Sequence, residues 1–478
     1  MKYRIVSYVL GCVLGVEAAA MLLPFGCALI FNEPCKWTFL LCALICLAVS
    51  VPLILARPKD KTMFAKEGFA AVALSWIALS FFGALPFVFS KSIPNFIDAF
   101  FETASGFTTT GASILKDVEV LPKSMIFWRS FTHWIGGMGV LVFLVALLPL
   151  SGGGNLHLIR AESPGHSVGK LGPRVKSTAK ILYSIYIVMT VAEIALLMIG
   201  GLGWFEAATL TFGTAGTGGF GILNSSVGEY SSYIQIVITV FMVLFGIDFS
   251  FYYLLIMRKV RSAFKMEEVW IYLGIIAASI AVIFFNIRDA FGTSGEALRH
   301  SAFQVSSIIT TTGYSTVDFD LWPQLSKTIL VLLMFCGACA GSTGGGMKVS
   351  RIMILFKSIV KEIKVLAHPK STVKVKLNGK PLEHEVLRGV NVFFIAYMFI
   401  FAVAMLIISC DNMDFTTNFT AVVATLSNIG PGLGAVGPTC NFSGYSTAST
   451  FALSLVMIIG RLEIFPVLVL LSRKTWKR

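Results

Sequence analysis

The sequence predicts an all-α polytopic membrane protein, built from four pseudo-repeated helix, loop, helix units preceded by two extra N-terminal transmembrane helices. Three observations predict it. Of 478 residues 56% are hydrophobic and only 13% charged, at a mean hydropathy of +0.81, which is more apolar residue than a soluble core needs. The tetrad Thr108-Thr109-Thr110-Gly111 returns as Thr310-Thr311-Thr312-Gly313, with looser echoes at Thr214 to Phe220 and Ser427 to Gly432. The glycines Gly111, Gly218, Gly313 and Gly430 therefore mark one unit used four times. Finally, the basic residues gather in the connections between units.

Taken in order, residues 3–31 form an apolar segment behind Lys2 and Arg4, longer than a signal-peptide core and without a convincing cleavage site. A second span at 37–56 follows Asn32-Glu33-Pro34, so residues 1–66 form an anchor pair. Unit one (67–156) has spans at 68–89 and 124–149 around a short helix at 95–106; unit two (157–265) has spans at 178–202 and 231–257 around 204–213. Unit three (266–382) spans 268–287, dips at 297–308 and returns from Trp322; unit four (383–478) spans 389–409, dips at 415–425 and ends with a helix over 444–471.

The short helices are too brief to cross a hydrocarbon core of about 30 Å, which takes roughly 20 residues. They must dip in and stop. A loop of Thr and Gly inside apolar sequence survives only around a wet cavity, because backbone groups facing lipid stay unsatisfied. A helix ending there aims roughly half a negative charge at the turn. Four such ends around a central pore favour a cation. Rings of carbonyls from Thr109, Thr110 and Gly111, from Gly216, Thr217 and Gly218, from Thr311, Thr312 and Gly313, and from Asn428, Ile429 and Gly430 then replace the water of a dehydrating ion. Ordinary surface turns would not recur after matching short helices.

The formal charge of +13 suits nucleic acid no better than a membrane surface, since the basic residues lie between apolar runs. Arg57, Lys59, Lys61 and Lys66, then Arg160 to Lys180, Arg258 to Lys265, Lys348 to Arg388, and Arg473 to Arg478 all fall on one side. The positive-inside rule makes that side cytoplasmic, with both termini. Acidic residues, among them Asp98, Asp117, Glu119, Asp318, Asp320 and Asp414, gather at the opposite mouth, where they concentrate cations. Most of the nine cysteines lie in spans and form no disulfide framework; Cys410 and Cys440 flank the fourth short helix as the one pair that could meet outside.

From Trp322 to Ile363 a continuous helix would run roughly 60 Å, twice the hydrocarbon thickness. It should break, and the small polar run Gly337 to Gly346 is the place. Arg461 interrupts the last helix, and a charge within a span is functional by default. A salt bridge to Glu463 or Asp248 is the structural alternative. Arg129 and His133 read mainly as scaffold with acidic neighbours.

Four such loops in register, with Thr-Thr-Thr-Gly in the first and third, Gly-Gly-Phe at 218–220 and Asn-Ile-Gly-Pro-Gly at 428–432, resemble the Trk/Ktr/HKT superfamily of potassium transporters over nearly the whole chain. The extra helix pair resembles its TrkH-type branch. That resemblance implies potassium uptake across a bacterial inner membrane, no cofactor and no enzymatic activity. Members with serine at the first filter glycine favour sodium, and this chain has Gly111. The resemblance makes Gly337, Gly341, Ser342, Thr343, Gly344, Gly345 and Gly346, with Lys348 beyond, an intramembrane gating loop under the filter, and Arg461 a positive barrier below it. It also implies a homodimer docked on a cytosolic nucleotide-binding regulatory subunit of the TrkA type, since no phosphate-binding loop occurs here.

Catalysis lacks its parts. The histidines His133, His157, His166, His300, His368 and His384 form neither a metal-binding helix motif nor a pairing with a serine nucleophile. The closer rival is a proton- or sodium-coupled transporter of another small solute. It requires a deep coupling carboxylate, for which Glu17, Glu193 and Asp248 are the candidates.

Overall fold

The computed structural model describes residues 1–58, 64–147 and 175–476. The N-terminal pair is α1 (Tyr3–Ala20) continued by α2 (Leu22–Ile30), then α3 (Lys36–Leu55). α1 and α3 cross where Gly11 has no side chain: a Cβ there would lie 2.8 Å from the Leu53 Cβ, and Ser50 Oγ donates to the Gly11 carbonyl at 2.7 Å. Small residues let the two backbones approach, as apolar helices in lipid require.

Unit one comprises α4 (Ala65–Phe89), the short α5 (Phe96–Phe107) and α6 (Lys123–Leu147). Unit two comprises α7 (Val175–Ile199), the short α8 (Trp204–Gly216), α9 (Ser232–Phe245) and α10 (Phe249–Ile256). In unit three α11 (Glu267–Ile287) and the short α12 (Ser294–Ile309) precede α13 (Gln324–Cys336) and α14 (Val349–Ala367); a hairpin of β1 (Lys376–Leu377) and β2 (Lys380–Pro381) leads out of it. Unit four comprises α15 (His384–Ile408), the short α16 (Phe415–Leu426), α17 (Thr447–Arg461) and α18 (Phe465–Leu471). The expected boundary at 156–157, with Arg160, Lys170, His157 and His166, lies outside the described residues.

Three of the short helices start on side-chain caps that satisfy orphan backbone N–H groups: Asn95 accepts from Ile97, Thr293 from Glu296 and Asp414 from Thr417. Such caps let a helix begin at a loop inside the protein. The second helix of each unit then packs on the short helix of the next: α6 on α8, α9 on α12, α13 on α16, and α17 back on α5. The four units therefore close into a ring.

The second helices differ from the sequence expectation. The stretch 231–257 is two helices bent by 84° at Gly246-Ile247-Asp248, and 444–471 is two bent by 118° after Arg461. Unit three breaks more widely, between Cys336 and Val349, where its small-residue run predicts. By length and composition six described helices can cross a membrane, or eight counting each bent pair as one span, against the ten spans expected. At 13 residues α13 is too short alone. The breaks fall at equivalent places along the second helices, after 14, 13 and 15 residues. Glu463 and Ile464 carry the turn in unit four at φ 54° and 72°, an unfavourable region for side-chain-bearing residues.

Candidate functional site

Each short helix ends in the same backbone motif. An N–H reaches back five residues to a carbonyl at 2.8 Å from Thr110 to Ser105, Gly218 to Gly213, Thr312 to Ser307 and Ile429 to Ala424. The residue before it is left-handed, Thr109, Thr217, Thr311 and Asn428 at φ 53–58°, and the residue after it is a glycine at φ 75–100°: Gly111, Gly219, Gly313 and Gly430. This repeat sets the equivalence between units, and in unit two it falls one residue later than the expected triplet Gly216, Thr217 and Gly218. Gly216 is the last residue of α8, and the equivalent triplet is Thr217, Gly218 and Gly219. Three glycines in four residues had left spacing alone unable to choose.

Successive loops touch through their glycines. A Cβ on Gly111 would lie 1.9 Å from the Gly218 oxygen, on Gly219 2.0 Å from that of Thr312, on Gly313 2.0 Å from that of Ile429, and on Gly430 2.8 Å from that of Thr110. One to two, two to three, three to four and four to one: the circuit is closed. With glycine at each joint the backbones meet without a clash and accept the positive φ. All four glycines floor an outer vestibule whose walls include Ser113, Asn224 and Asn441. Among the described residues no cluster of His, Cys, Asp and Glu could hold a metal ion; the oxygens that meet the ring glycines are the backbone carbonyls of Gly218, Thr312, Ile429 and Thr110.

The outer loops repeat the ring as clasps. Asn224 of unit two accepts from Val118 N at 2.9 Å and donates to Asp117 at 2.8 Å. Val227 N donates to Ser315 O at 2.9 Å, Gly434 N to Asp320 at 3.0 Å, and Phe442 N to Ser113 O at 2.9 Å. Several mouth acids expected to gather cations therefore also hold loops together, including Asp117, Asp320 and Glu119, which accepts from Asn224 N.

Buried side chains back the loops. Arg129 donates to Glu102 at 2.5 Å and to the Gly221 carbonyl at 3.0 Å, with its guanidinium 3.6 Å from the Phe220 ring centre. Glu102 accepts in turn from Ser113 Oγ and Ile114 N. His133 stacks on Phe220 at 4.2 Å and fills the space beside Gly218; aromatic packing, rather than the acidic neighbour expected, holds it. Tyr314 donates to Leu210 O at 3.0 Å across the space that Gly213 leaves open, joining units two and three. Asn428 donates to Thr110 Oγ1 and to Met457 O, both at 2.9 Å. Phe220 entered the sequence reading only as the end of the Gly-Gly-Phe motif, and Tyr314 was not singled out, although each directly follows a loop glycine.

Beneath the ring lies the connection between α13 and α14. Gly345 N donates to Thr311 Oγ1 at 2.6 Å, and a Cβ on Gly345 would lie 2.3 Å from Ser427 O. The loop thus touches the inner ends of loops three and four. Lys348, buried, donates back to Gly344 O. The unit-two break grips the loop edge, with Cys339 N on Gly246 O at 3.1 Å and Phe249 N on Gly341 O at 3.0 Å. Arg461 bridges it to unit one, donating to Thr343 O at 2.8 Å and Gly136 O at 2.6 Å. Glu463 pairs instead with Arg351 at 2.5 Å, and Asp248 caps α10 by accepting from Ser250 N at 2.8 Å. Of the other deep carboxylates, Glu17 lies beside Gly83 on α4 and Glu193 is buried on α7. Cys410 and Cys440 are free thiols.

A family model described as TrkH, cation transport protein, matches residues 38–288 and 269–478. The chain is 37% identical to the Trk system potassium uptake protein TrkH of Salmonella typhimurium and 36% identical to that of Escherichia coli K12, in each case over the whole of both chains. Its fold superposes on the crystal structure of the potassium transporter TrkH from Vibrio parahaemolyticus with a TM-score of 0.90 at 32% identity, again covering both chains completely.

Proposed function

Because the chain belongs to the TrkH family of cation transport proteins, we propose that it takes up potassium through the ring formed by its four loops, gated by the loop beneath. The cyclic contact of Gly111, Gly219, Gly313 and Gly430 with the next unit's carbonyl carries this reading. A dehydrated cation needs oxygens from every side, and a closed circuit of carbonyls facing the negative ends of four helices supplies them. The filter is then Thr109 to Gly111, Thr217 to Gly219, Thr311 to Gly313 and Asn428 to Gly430, one set per unit. Glycine at 111 favours potassium over sodium in this reading.

The stretch 337–348 serves as the gate. Its contacts with Thr311 and Ser427 support that role, because a stretch lying against the ends of loops three and four can obstruct passage beyond the ring. Arg461 adds a positive charge to the barrier. The units divide the chain at 66/67, 156/157, 265/266 and 382/383, with both termini on the cytoplasmic side of a bacterial inner membrane. The basic segment Lys370, Lys374, Lys376 and Lys380 offers the cytosolic surface for a nucleotide-binding regulatory subunit, and two copies of the chain form the working dimer.

Uptake of potassium, rubidium and sodium into liposomes holding the purified protein and Gly111→Ser tests the proposal. Potassium and rubidium well above sodium, with the margin narrowed in the variant, is the expected result. Absence of cation uptake even with residues 342–346 removed would overturn it and favour the coupled transport of another solute, for which competition by organic solutes would then be measured.

A further inference from the structure

The intramembrane loop is held at both ends by one oxygen. Glu268 stands in the first turn of α11, and its Oε1 accepts from Ala340 N at 2.6 Å and from Ser350 N at 3.0 Å. Those two N–H groups lie before and after the glycine run, one in the turn that enters it and the other in the first turn of α14. The side chain is buried, so water competes poorly for its partners. One buried carboxyl oxygen with two backbone donors is costly to lose, because its removal strands both donors away from water. Within the loop itself Cys339 is fully buried.

The preceding residue faces the cytosolic hairpin. Glu267 pairs with Lys357 of α14 at 2.5 Å and accepts from Gly379 N at 3.3 Å, while its own N–H donates to Asn378 at 2.9 Å. Lys357 also donates to Lys376 O at 3.0 Å. Asn378 and Gly379 form the exposed turn between β1 and β2. Two neighbouring carboxylates on one helix end therefore hold the loop on one side and the hairpin with α14 on the other.

We infer that Glu268 is the positioning residue that latches the intramembrane loop closed, and that Glu267 and Lys357 connect this latch to the cytosolic hairpin. The inference rests on the gate assigned above. Movement of the hairpin shifts α14, and with it Ser350, relative to the carboxylate that also holds Ala340. An open loop must give up at least one of the two bonds, so removing the acceptor shifts the population toward open.

The test compares potassium uptake by liposomes holding the full chain alone with that of Glu268→Leu and Glu268→Gln, alongside N-ethylmaleimide alkylation followed at each cysteine by mass spectrometry. Leucine should raise uptake on the order of tenfold and expose Cys339, while the buried Cys42 and Cys46 stay protected as a control for folding. Glutamine keeps an acceptor oxygen and should raise uptake less. Lys357→Met should speed Cys339 alkylation severalfold; an unchanged rate would remove the hairpin from the mechanism. Unchanged uptake and protected Cys339 in Glu268→Leu would overturn the latch if removal of residues 342–346 does raise uptake. If that deletion also leaves uptake unchanged, the gate assignment itself fails.

Discussion

Gly430 closes the ring against Thr110. Theirs is its loosest joint, since the Cβ that Gly430 lacks would stand 2.8 Å from the Thr110 oxygen where the other three would stand 1.9 to 2.0 Å away. The same joint alone carries a side-chain amide, with Asn428 donating to Thr110 Oγ1 at 2.9 Å and to Met457 O behind it. A side-chain hydrogen bond thus reinforces the joint whose glycine contact is the loosest of the four. Asn428→Leu should leave the fold intact and narrow the preference for potassium over sodium, whereas Asn428→Gln should narrow it less. Uptake ratios for the two cations in liposomes measure this.

The unit-two register gives a second prediction. A methyl group on Gly218 would strike the His133 ring at 2.3 Å, whereas on Gly219 it would strike the Thr312 backbone at 2.0 Å. A side chain can be truncated and a carbonyl cannot. Gly218→Ala and Gly219→Ala should both abolish uptake, but only the first should recover when combined with His133→Ala. Recovery of both, or of Gly219→Ala alone, would put the register back by one residue.

Arg129 and Glu102 form a pair that is almost wholly excluded from solvent, with side chains 3% and 0% exposed. Breaking such a pair leaves an uncompensated charge and typically costs about 3–5 kcal/mol, whereas replacing both partners can be nearly neutral. Arg129→Met and Glu102→Gln should therefore each lower the thermal midpoint of the detergent-purified protein, and the double variant should regain much of the loss. Additive losses would mean that Arg129 acts mainly through Phe220 and the Gly221 carbonyl.

Much of this arrangement was legible in the sequence. Thr-Thr-Thr-Gly after a short amphipathic helix can do little else inside lipid, and a 60 Å helix with three glycines in its middle must break. The register in unit two was not legible, because Gly216, Gly218 and Gly219 all tolerate the required backbone and only the packing against Thr312 selects among them. Neither were the bends at Asp248 and Arg461: both segments are long and mostly apolar, their charges read as sites within one span, and the turn in unit four is taken by Glu463 and Ile464 without any glycine. Glu268 was hidden for another reason. Beside Glu267 in a first helical turn it has the pattern of a solvated acid favourable to the helix dipole, and its two backbone partners lie more than seventy residues away.

Asp414 caps the fourth short helix from the outer loop, accepting from Thr417 Oγ1 at 2.5 Å and Thr417 N at 3.0 Å. These bonds hold its carboxyl below the usual aspartate value of 3.8. A carboxylate with a depressed pKa contributes stability that is present above the unfolded value and lost as pH falls through the folded one. Asp414→Ala should cost about 1 kcal/mol at neutral pH, an ordinary price for losing an N-cap. The gap in thermal midpoint between the variant and the unaltered protein should stay level from pH 7 to pH 5 and shrink only below the unperturbed aspartate range. A gap already closing near pH 6 would show that the cap is not the source of the difference.

Arg461 combines two effects that one substitution cannot separate. Its guanidinium ties Thr343 of the loop to Gly136 of α6, and it brings a positive charge to that junction. Arg461→Ala removes both and should accelerate potassium uptake. Lysine keeps the charge, but a single ammonium on a flexible stem reproduces a two-carbonyl bridge poorly. If electrostatic repulsion dominates, Arg461→Lys should transport as slowly as the unaltered protein; if the tie to the loop dominates, it should be nearly as fast as alanine and should expose Cys339 to alkylation. The bridge spans two elements that would have to part for the loop to move, so the expected result is a lysine variant intermediate in rate with Cys339 more reactive. Slow transport with Cys339 fully protected would leave the charge as the whole barrier.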